Sequence, residues 1–596
     1  MKTSWNLTLL FKDKKEISKT RTIVEEKTKE FVQKWQDNKD YLKKPEILKQ
    51  ALDEYANWLT NYGANTKEMF YYHLWQSLDQ ENPQIKAEVN KATEFAIKIE
   101  NQMQFFTHRI SKVDKKSQSK FLKSKFLTPY KHFLEKLFES ANYLLTEPEE
   151  KILNTLSPLA YNNWTRMLSS FLAKEEKNLK DESEKLKPRS FAEILNLMNS
   201  SKKSVRNSAA KAFNEILAKH AEVAENELNS VLQYKKITDE LRGFKKPDEA
   251  RHLADDIDSD VVKTLVETVS KNFDISQKYY LLKAKLMGVD KLAYHERNVP
   301  ILLGKVNKKY DYEKASRLVK KVLENLDKEF LEIFVNFEEN GQIDVFPKKG
   351  KANGAFATTQ TLSTPTYILL NHTGEFDNVT TLAHELGHGI NNELIRKRQN
   401  EINFGTPTST AEVASTFFED FVFQELIQDA DQKTRLSLMM AKLNDYVSTI
   451  FRQIAFYNFE LELHDIFRQK GYLSKEEIGQ MFQKHMVSYM GKAVSQDPGS
   501  ENWWIYVHHF RYFFYVYSYA SGLLISKSLQ ASVKQNKKFI EKVKEFLSAG
   551  KSDSPKNIFA KLQIDITKKE FWEKGIKEIA ELLTETEKLA TDLSLI

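Results

Sequence analysis

Apolar residues along this chain recur mostly at intervals of three and four, the spacing of one helical face, and seldom alternate. From Asp13 to Lys39 the stripe Ile17, Val24, Phe31 and Trp35 lies on one side and Lys and Glu fill the rest. That predicts an amphipathic helix whose stripe is core rather than a ligand site. The same pattern predicts helices over 85–112, 115–145, 150–180, 190–235, 258–288, 312–338, 432–468 and 536–548. With 18 glycines and 13 prolines in 596 residues, little interrupts them. The chain reads as mainly α, and the absence of a fixed-period repeat argues against a solenoid. The charged stretch from Lys174 to Lys187 reads as a helix surface ended by Pro188, which disfavours helix in the residue before it. It marks the expected boundary between an N-terminal helical lobe, 1–188, and a second part, 189–596.

One island departs from this pattern. Gly341, Gly350, Gly354, Gly374, Gly387, Gly389 and Gly405 fall within 341–405, with two extended-looking segments, Gln342–Phe346 and Thr366–Asn371. They predict a small β element in a helical protein, and glycine's tolerance of close backbone approach makes it a place for a substrate groove.

Composition narrows the class. An apolar share of 41% excludes a disordered chain. Lys and Arg number 90 against 83 Asp and Glu, a net +7 with both signs interleaved, so no concentrated face for nucleic acid is expected. With no cysteine, the chain has no disulfide, thiolate metal site or Cys nucleophile, which fits a reducing compartment. The opening MKTSWNLTLLFKDKK is too short and interrupted for a signal peptide and no run of 18 apolar residues occurs, so a cytoplasmic protein with no membrane partner is expected.

The chemistry concentrates at His384-Glu385-Leu-Gly-His388, an HExxH motif on a helix with Asp377 as its expected N-cap. Residues four apart share a face, so both imidazoles can reach one zinc at about 2.0–2.1 Å. Glu385, rotated by about 100° from His384, is out of line with them and placed to act as general base on a water beside the ion. A catalytic zinc takes a third protein ligand, here a carboxylate or another His. Glu412, 24 residues after His388, is a candidate, yet Ser409-x-x-Glu412 equally matches a capping box that would turn Glu412 to the backbone. Glu419, two turns on, is expected to orient an imidazole. Taken as a helix, about 503–522, the aromatic stretch puts His509, Tyr512, Tyr515 and Tyr519 on one face, where they offer hydrogen bonds to a developing oxyanion or serve as buried packing. His73, His108, His132, His220, His252, His372, His464 and His485 have no partner at metal spacing and read as surface or structural.

The run AHELGH followed by Glu412-x-x-Ser415-x-x-x-Glu419 resembles the zinc oligopeptidases of the oligoendopeptidase F and thimet oligopeptidase family. Trp5–Phe11, Ile343-Asp-Val, Gly350–Phe356, Tyr367–Asn371, His509–Ala520, Ser554-Pro and Phe571–Gly575 are similar to the bacterial oligoendopeptidase F branch and occur in its order. The resemblance implies two helical lobes around a deep substrate channel, with a small β-sheet next to the HExxH helix and a zinc-site core at about 341–425. It implies one Zn²⁺ per chain on His384, His388 and Glu412, with Glu385 as base. Gly354, Ala355 and Tyr512 would meet the substrate, and His509 and Tyr519, then Tyr515, would lie over the scissile bond. Short unstructured peptides are the implied substrates. The chain departs from the family at His295-Glu-Arg-Asn-Val-Pro300, Arg511 and Phe513, which bears on subsite preference. The rivals are a related zinc carboxypeptidase or peptidyl-dipeptidase reading a free C-terminus through a cation such as Arg511, and a catalytically silent peptide-binding protein. Mn²⁺ or Co²⁺ suits the same ligands.

Overall fold

Helices carry most of the chain, and several of their ends are readable in its side chains. The structure, a computed structural model, describes residues 1–63, 67–303, 309–428 and 430–596. Asp13 caps Lys14–Gln36 by accepting from the amides of Lys15 and Glu16, and Asn82 does the same for Pro83–Ser111. Ile17, Val24, Phe31 and Trp35 are buried as the stripe predicts, joined by Thr28. The helix expected over 115–145 is broken into Lys115–Leu122 and Lys131–Ala141 by a 3₁₀ stretch, Lys125–Tyr130, that holds Pro129.

Residues 174–190 are a correction to the pattern. They form a hairpin of β1 (Glu176–Lys180) and β2 (Leu186–Ser190), with Asn178 opposite Pro188. The run has no apolar stripe to tie it to a neighbouring helix, so local turn chemistry decides. Asp181 accepts from the amide of Ser183 (2.8 Å) and the guanidinium of Arg189 (2.5 Å), and Glu184 takes a left-handed φ of +63°. Pro188 is tolerated because a two-stranded ribbon has only edges.

The chain divides into two compact units, each drawn from three separate stretches. Unit 1 comprises Met1–Asn142, Val306–Leu426 and Ser532–Ile564; unit 2 comprises Tyr143–Lys305, Ile427–Ala531 and Asp565–Ile596.

In unit 1 one core joins Trp35, Tyr41, Leu48, Phe106 and Phe121. A second gathers Trp5, Leu10, Phe11 and Phe70 against Tyr367 and Leu369. Those two residues belong to a three-stranded sheet of β3 (Ile343–Asp344), β4 (Phe356–Thr358) and β5 (Tyr367–Leu369). Strand β5 is central, parallel to β3 and antiparallel to β4. The indole of Trp5 donates to Ile368 O (2.8 Å), and buried Lys351 pairs with Asp344 (2.7 Å). Each fully buried large side chain contributes roughly 1.5–3 kcal/mol. The sheet is thus anchored by residues more than 280 positions upstream. Strand β4 lies outside the two expected extended segments.

Unit 2 is built on the 40-residue helix Lys203–Arg242, closed by Gly243 at φ +84°. The helix expected over 503–522 is also corrected. Two 3₁₀ turns, Ser500–Ile505 and His508–Arg511, are followed by Phe513 (φ +53°) and Phe514 (φ +57°), and only then by the helix Tyr517–Gln535. Two left-handed residues in succession cannot continue a right-handed helix. Phe514 is held there by burial and by its amide, which donates to Glu460 Oε1 (2.9 Å). Among the described residues no helix is long and apolar enough to cross a membrane.

Candidate active site

Unit 1 carries HExxH on the helix Phe376–Arg398. The cap lies two residues before the expected one: Glu375 is the N-cap, with its amide bonded to the Asn378 side chain (3.1 Å), and Asp377 lies in the first turn. One turn apart, the His384 and His388 rings stand 5.2 Å between centroids. Glu412 immediately precedes the helix Val413–Gln428, and the carboxylate could have turned to the backbone as a cap. It does not. Glu412 Oε2 lies 3.3 Å from His384 Nε2 and 3.4 Å from His388 Nε2. The Ser409 hydroxyl, the other half of the expected capping box, is buried without a hydrogen bond among the described residues.

The fit to a metal can be tested on these distances. Ligand atoms about 2.0–2.1 Å from a tetrahedral zinc lie about 3.3 Å from one another, close to the two separations found. His384, His388 and Glu412 each offer one donor atom, all within 4.8 Å of one another. The set suits zinc. His384 Nδ1–H donates to Glu419 Oε2 (3.0 Å), which leaves Nε2 facing the other donors. Burial lowers the His384 imidazole, but hydrogen bonds to Glu412 and Glu419 outweigh it and carry it up to about 10. Burial works to raise Glu412, and the two imidazoles reverse this and hold it well below the usual carboxylate range.

Glu385 faces differently. Burial pushes its carboxyl up from the ordinary range, against the pull of His384, His388 and a hydrogen bond from the Ala357 amide of β4. Gly354 and Ala355, just before β4, line a cavity of about 410 Å³ with His384, Glu385 and Glu419. Asn371 fixes that approach by donating to Ala352 O (2.9 Å) and Gly354 O (2.8 Å). His372, read as structural, lines the same cavity and bonds through Nε2 to Tyr310 O (2.7 Å).

Two contributors escaped the sequence. Ser415 Oγ donates to Glu412 Oε2 (2.7 Å) and so aims the third donor. Gly387, between the two histidines, is where the helices meet: a Cβ there would stand 2.6 Å from Ser415 Cα and 2.7 Å from Ala414 O. A glycine inside HExxH, within a helix interior where glycine is unfavourable, is the available signal.

The expected aromatic residues lie in unit 2. His509, Tyr515 and Tyr519 come together with ring centroids 5.4, 6.0 and 5.9 Å apart, and His509 Nδ1 is hydrogen-bonded to the Tyr515 hydroxyl. They do so across the Phe513–Phe514 turn, not along one helical face. Burial, with Arg452 and His508, lowers the His509 imidazole to about 4, so it is neutral at pH 7. Tyr512 makes no ring contact with the trio and is 51% exposed. Arg511 is 2% exposed and committed: Nε and Nη2 bond to buried Glu227, and Nη1 to Trp504 O and Val507 O. That leaves one of its five N–H donors, too few for a two-pronged grip on a peptide C-terminus.

Residues 196–578 match the model of Peptidase family M3, and residues 109–174 match a domain described as Oligopeptidase F. An oligoendopeptidase F homolog of Borreliella burgdorferi is 26% identical over 573 residues, covering 95% of this chain and 94% of the relative. Oligopeptidase PepF of Bacillus subtilis is 27% identical, covering 80% of this chain and 71% of its own. Among solved structures, one from Chlamydophila abortus proposed to be a peptidase superposes with a TM-score of 0.88 at 23% identity, covering 98% of each chain. Oligoendopeptidase F of Enterococcus faecium superposes at 0.67 and 19% identity over 97% of this chain and 99% of its own.

Proposed function

Because the chain belongs to peptidase family M3, we propose that it is a zinc-dependent oligoendopeptidase that cuts internal bonds of short, unstructured peptides in the cytoplasm. The observation that carries this reading is Glu412 Oε2 standing 3.3 and 3.4 Å from the Nε2 atoms of both HExxH histidines, with Glu385 beside them. His384, His388 and Glu412 hold one Zn²⁺, which supplies the Lewis acidity that makes a water nucleophilic near neutral pH. Glu385 takes the proton of the attacking water and passes it to the leaving amine. Its raised carboxyl supports the first half of that role, since a stronger base takes up the proton of water more readily. Glu419 keeps the His384 ring in its tautomer.

Strand β4 lies at the edge of its sheet, and to it, with Gly354 and Ala355, we assign pairing with the peptide backbone. His509 and Tyr519, then Tyr515, are assigned to the developing oxyanion, on their clustering in unit 2 and the resemblance of the segment. The exposed ring of Tyr512 is assigned to substrate contact. The commitment of Arg511 to Glu227 takes that one example of a C-terminus-reading cation out of the exopeptidase rival.

Mass spectrometry of a peptide of about ten residues, acetylated and amidated, tests the reading on a length suited to a channel. Wild type is expected to make internal cuts, and Glu385→Gln to keep its metal while slowing by about 10²–10⁴-fold. Full activity in that variant with metal retained would remove Glu385 from the mechanism. Cleavage of only the free-ended twin would mean an exopeptidase, and silence on both a binding protein.

A further inference from the structure

Unit 2 encloses a cavity of about 760 Å³ that includes His509 and Tyr515 in its lining. Its walls are largely aromatic, among them Phe456, Phe482 and Trp503, yet Arg297 and Arg452 also line it. Arg297 is 6% exposed. Its guanidinium has one hydrogen bond to a described residue, from Nη1 to Tyr294 O (2.9 Å), and its Nε is buried with none. The rings of Tyr294 and Trp503, each with its centroid 4.5 Å from Cζ, press against it without supplying an in-plane acceptor. Arg452 likewise has a buried, unpartnered Nε, beside the ring of Phe456 (5.9 Å). The buried Tyr489 hydroxyl on the same cavity is unpartnered too. Neither arginine has a carboxylate within ion-pair reach among the described residues, and Glu296, adjacent in sequence to Arg297, is held by Arg206 (2.8 Å).

A guanidinium stays charged in a protein, and burying it without an anion is costly. Elsewhere in this unit the rule is kept, as Arg511 with Glu227 shows. A buried guanidinium, a half-buried one and a hydroxyl, none of them paired with a carboxylate, line an aromatic cavity and lack one chemical group, a planar anion that accepts edge-on. We propose that this cavity binds a carboxylate carried on an apolar or aromatic body, gripped by Arg297, Arg452 and Tyr489. The assignment of that carboxylate to a substrate peptide, as its C-terminus or as an Asp or Glu side chain, rests on the peptidase reading.

The test uses N-acetyl-L-phenylalanine and its amide as probes, titrated against the whole protein by calorimetry. The acid is expected to bind about tenfold or more tightly than the amide, the discrimination that one charge-assisted contact supplies. Arg452→Met, or Arg452→Lys should the first fail to fold, is expected to lose that preference. Equal affinities, no binding, or a preference that survives the loss of Arg452 would overturn the proposal. Amidated peptides differing only as Glu or Gln, and one peptide as free acid or amide, then identify the source. A lower KM for the Glu peptide points to the side chain, one for the free acid to the C-terminus, and equal KM values would overturn the assignment to substrate. Acid-selective binding without cleavage of any peptide would sink the peptidase reading and leave the anion site standing.

Discussion

At the scale of single residues, His384 shows how a carboxylate outside the proposed ligand set acts on a member of it. An imidazole has two nitrogens, and which one carries the proton decides whether the other can bind a metal. Glu419, accepting from Nδ1 at 3.0 Å, makes that choice. Glu419→Gln is expected to weaken zinc binding by about 10–100-fold with the helices intact. Competition against a chromophoric chelator measures this, and an unchanged affinity would deny Glu419 the role. Glu460 offers a second residue-level test. Fully buried, it is raised to about 8 by burial, while the Phe514 amide, Lys235 and Arg251 pull it back. Its folded value lies above the unfolded one of about 4.3, so the folded chain keeps a proton that the unfolded chain gives up. The stability it contributes is complete below about pH 4.3 and is lost as pH rises through about 8. Glu460→Gln, neutral throughout, is expected to match wild type in urea midpoint at about pH 4 and exceed it at pH 9. The reverse order at pH 9 would show that folding favours the charged carboxylate, so that its pKa is lowered and not raised.

At the scale of elements, the site depends on how closely two helices approach. Phe376–Arg398 brings two donors, and the start of Val413–Gln428 brings the third only because Gly387 has no side chain. Gly387→Ala forces backbone against Ser415 and Ala414, an overpacking that costs about 1–3 kcal/mol. A lower melting temperature is expected together with weakened metal binding, because Glu412 moves with Ser415. A variant that melts lower yet binds zinc as before would separate the helix contact from the donor set. The aromatic trio shows residues expected to lie together meeting through a different geometry. Spacings of three, three and four predicted one helical face for His509, Tyr512, Tyr515 and Tyr519. The turn through Phe513 and Phe514 instead gathers His509, Tyr515 and Tyr519 and leaves Tyr512 exposed.

At the scale of the whole molecule, each compact unit is assembled from three stretches of chain, so no single cut separates them. Residue 188 lies within the hairpin of unit 2, and the sheet of unit 1 buries Tyr367 and Leu369 against Trp5, Phe11 and Phe70. A fragment spanning 189–596 retains every proposed ligand but lacks that packing. It is expected to fail to bind zinc stoichiometrically and to show no cooperative thermal transition. A fragment that folds and binds one metal would show that the first 188 residues are dispensable to the site.

What the amino-acid sequence determined alone is whatever local periodicity dictates. The helical class follows from apolar spacing, and the pairing of His384 with His388 from the four-residue turn, because both depend only on neighbours along one helix. The family was legible from motifs in their order. The tertiary structure decided what depends on residues distant in the chain. Glu412 could cap a helix or face the histidines, and its contact with residues 24 and 28 positions away is set by the packing at Gly387. Arg511 looked available until Glu227, 284 positions earlier, was found against it. Arg297 and Arg452 looked like ordinary cations until the fold placed both on one cavity with no carboxylate in ion-pair reach among the described residues, Arg297 buried and Arg452 half-buried. Side-chain partners across such distances carry no periodic signature, since burial and packing select them after the helices have formed.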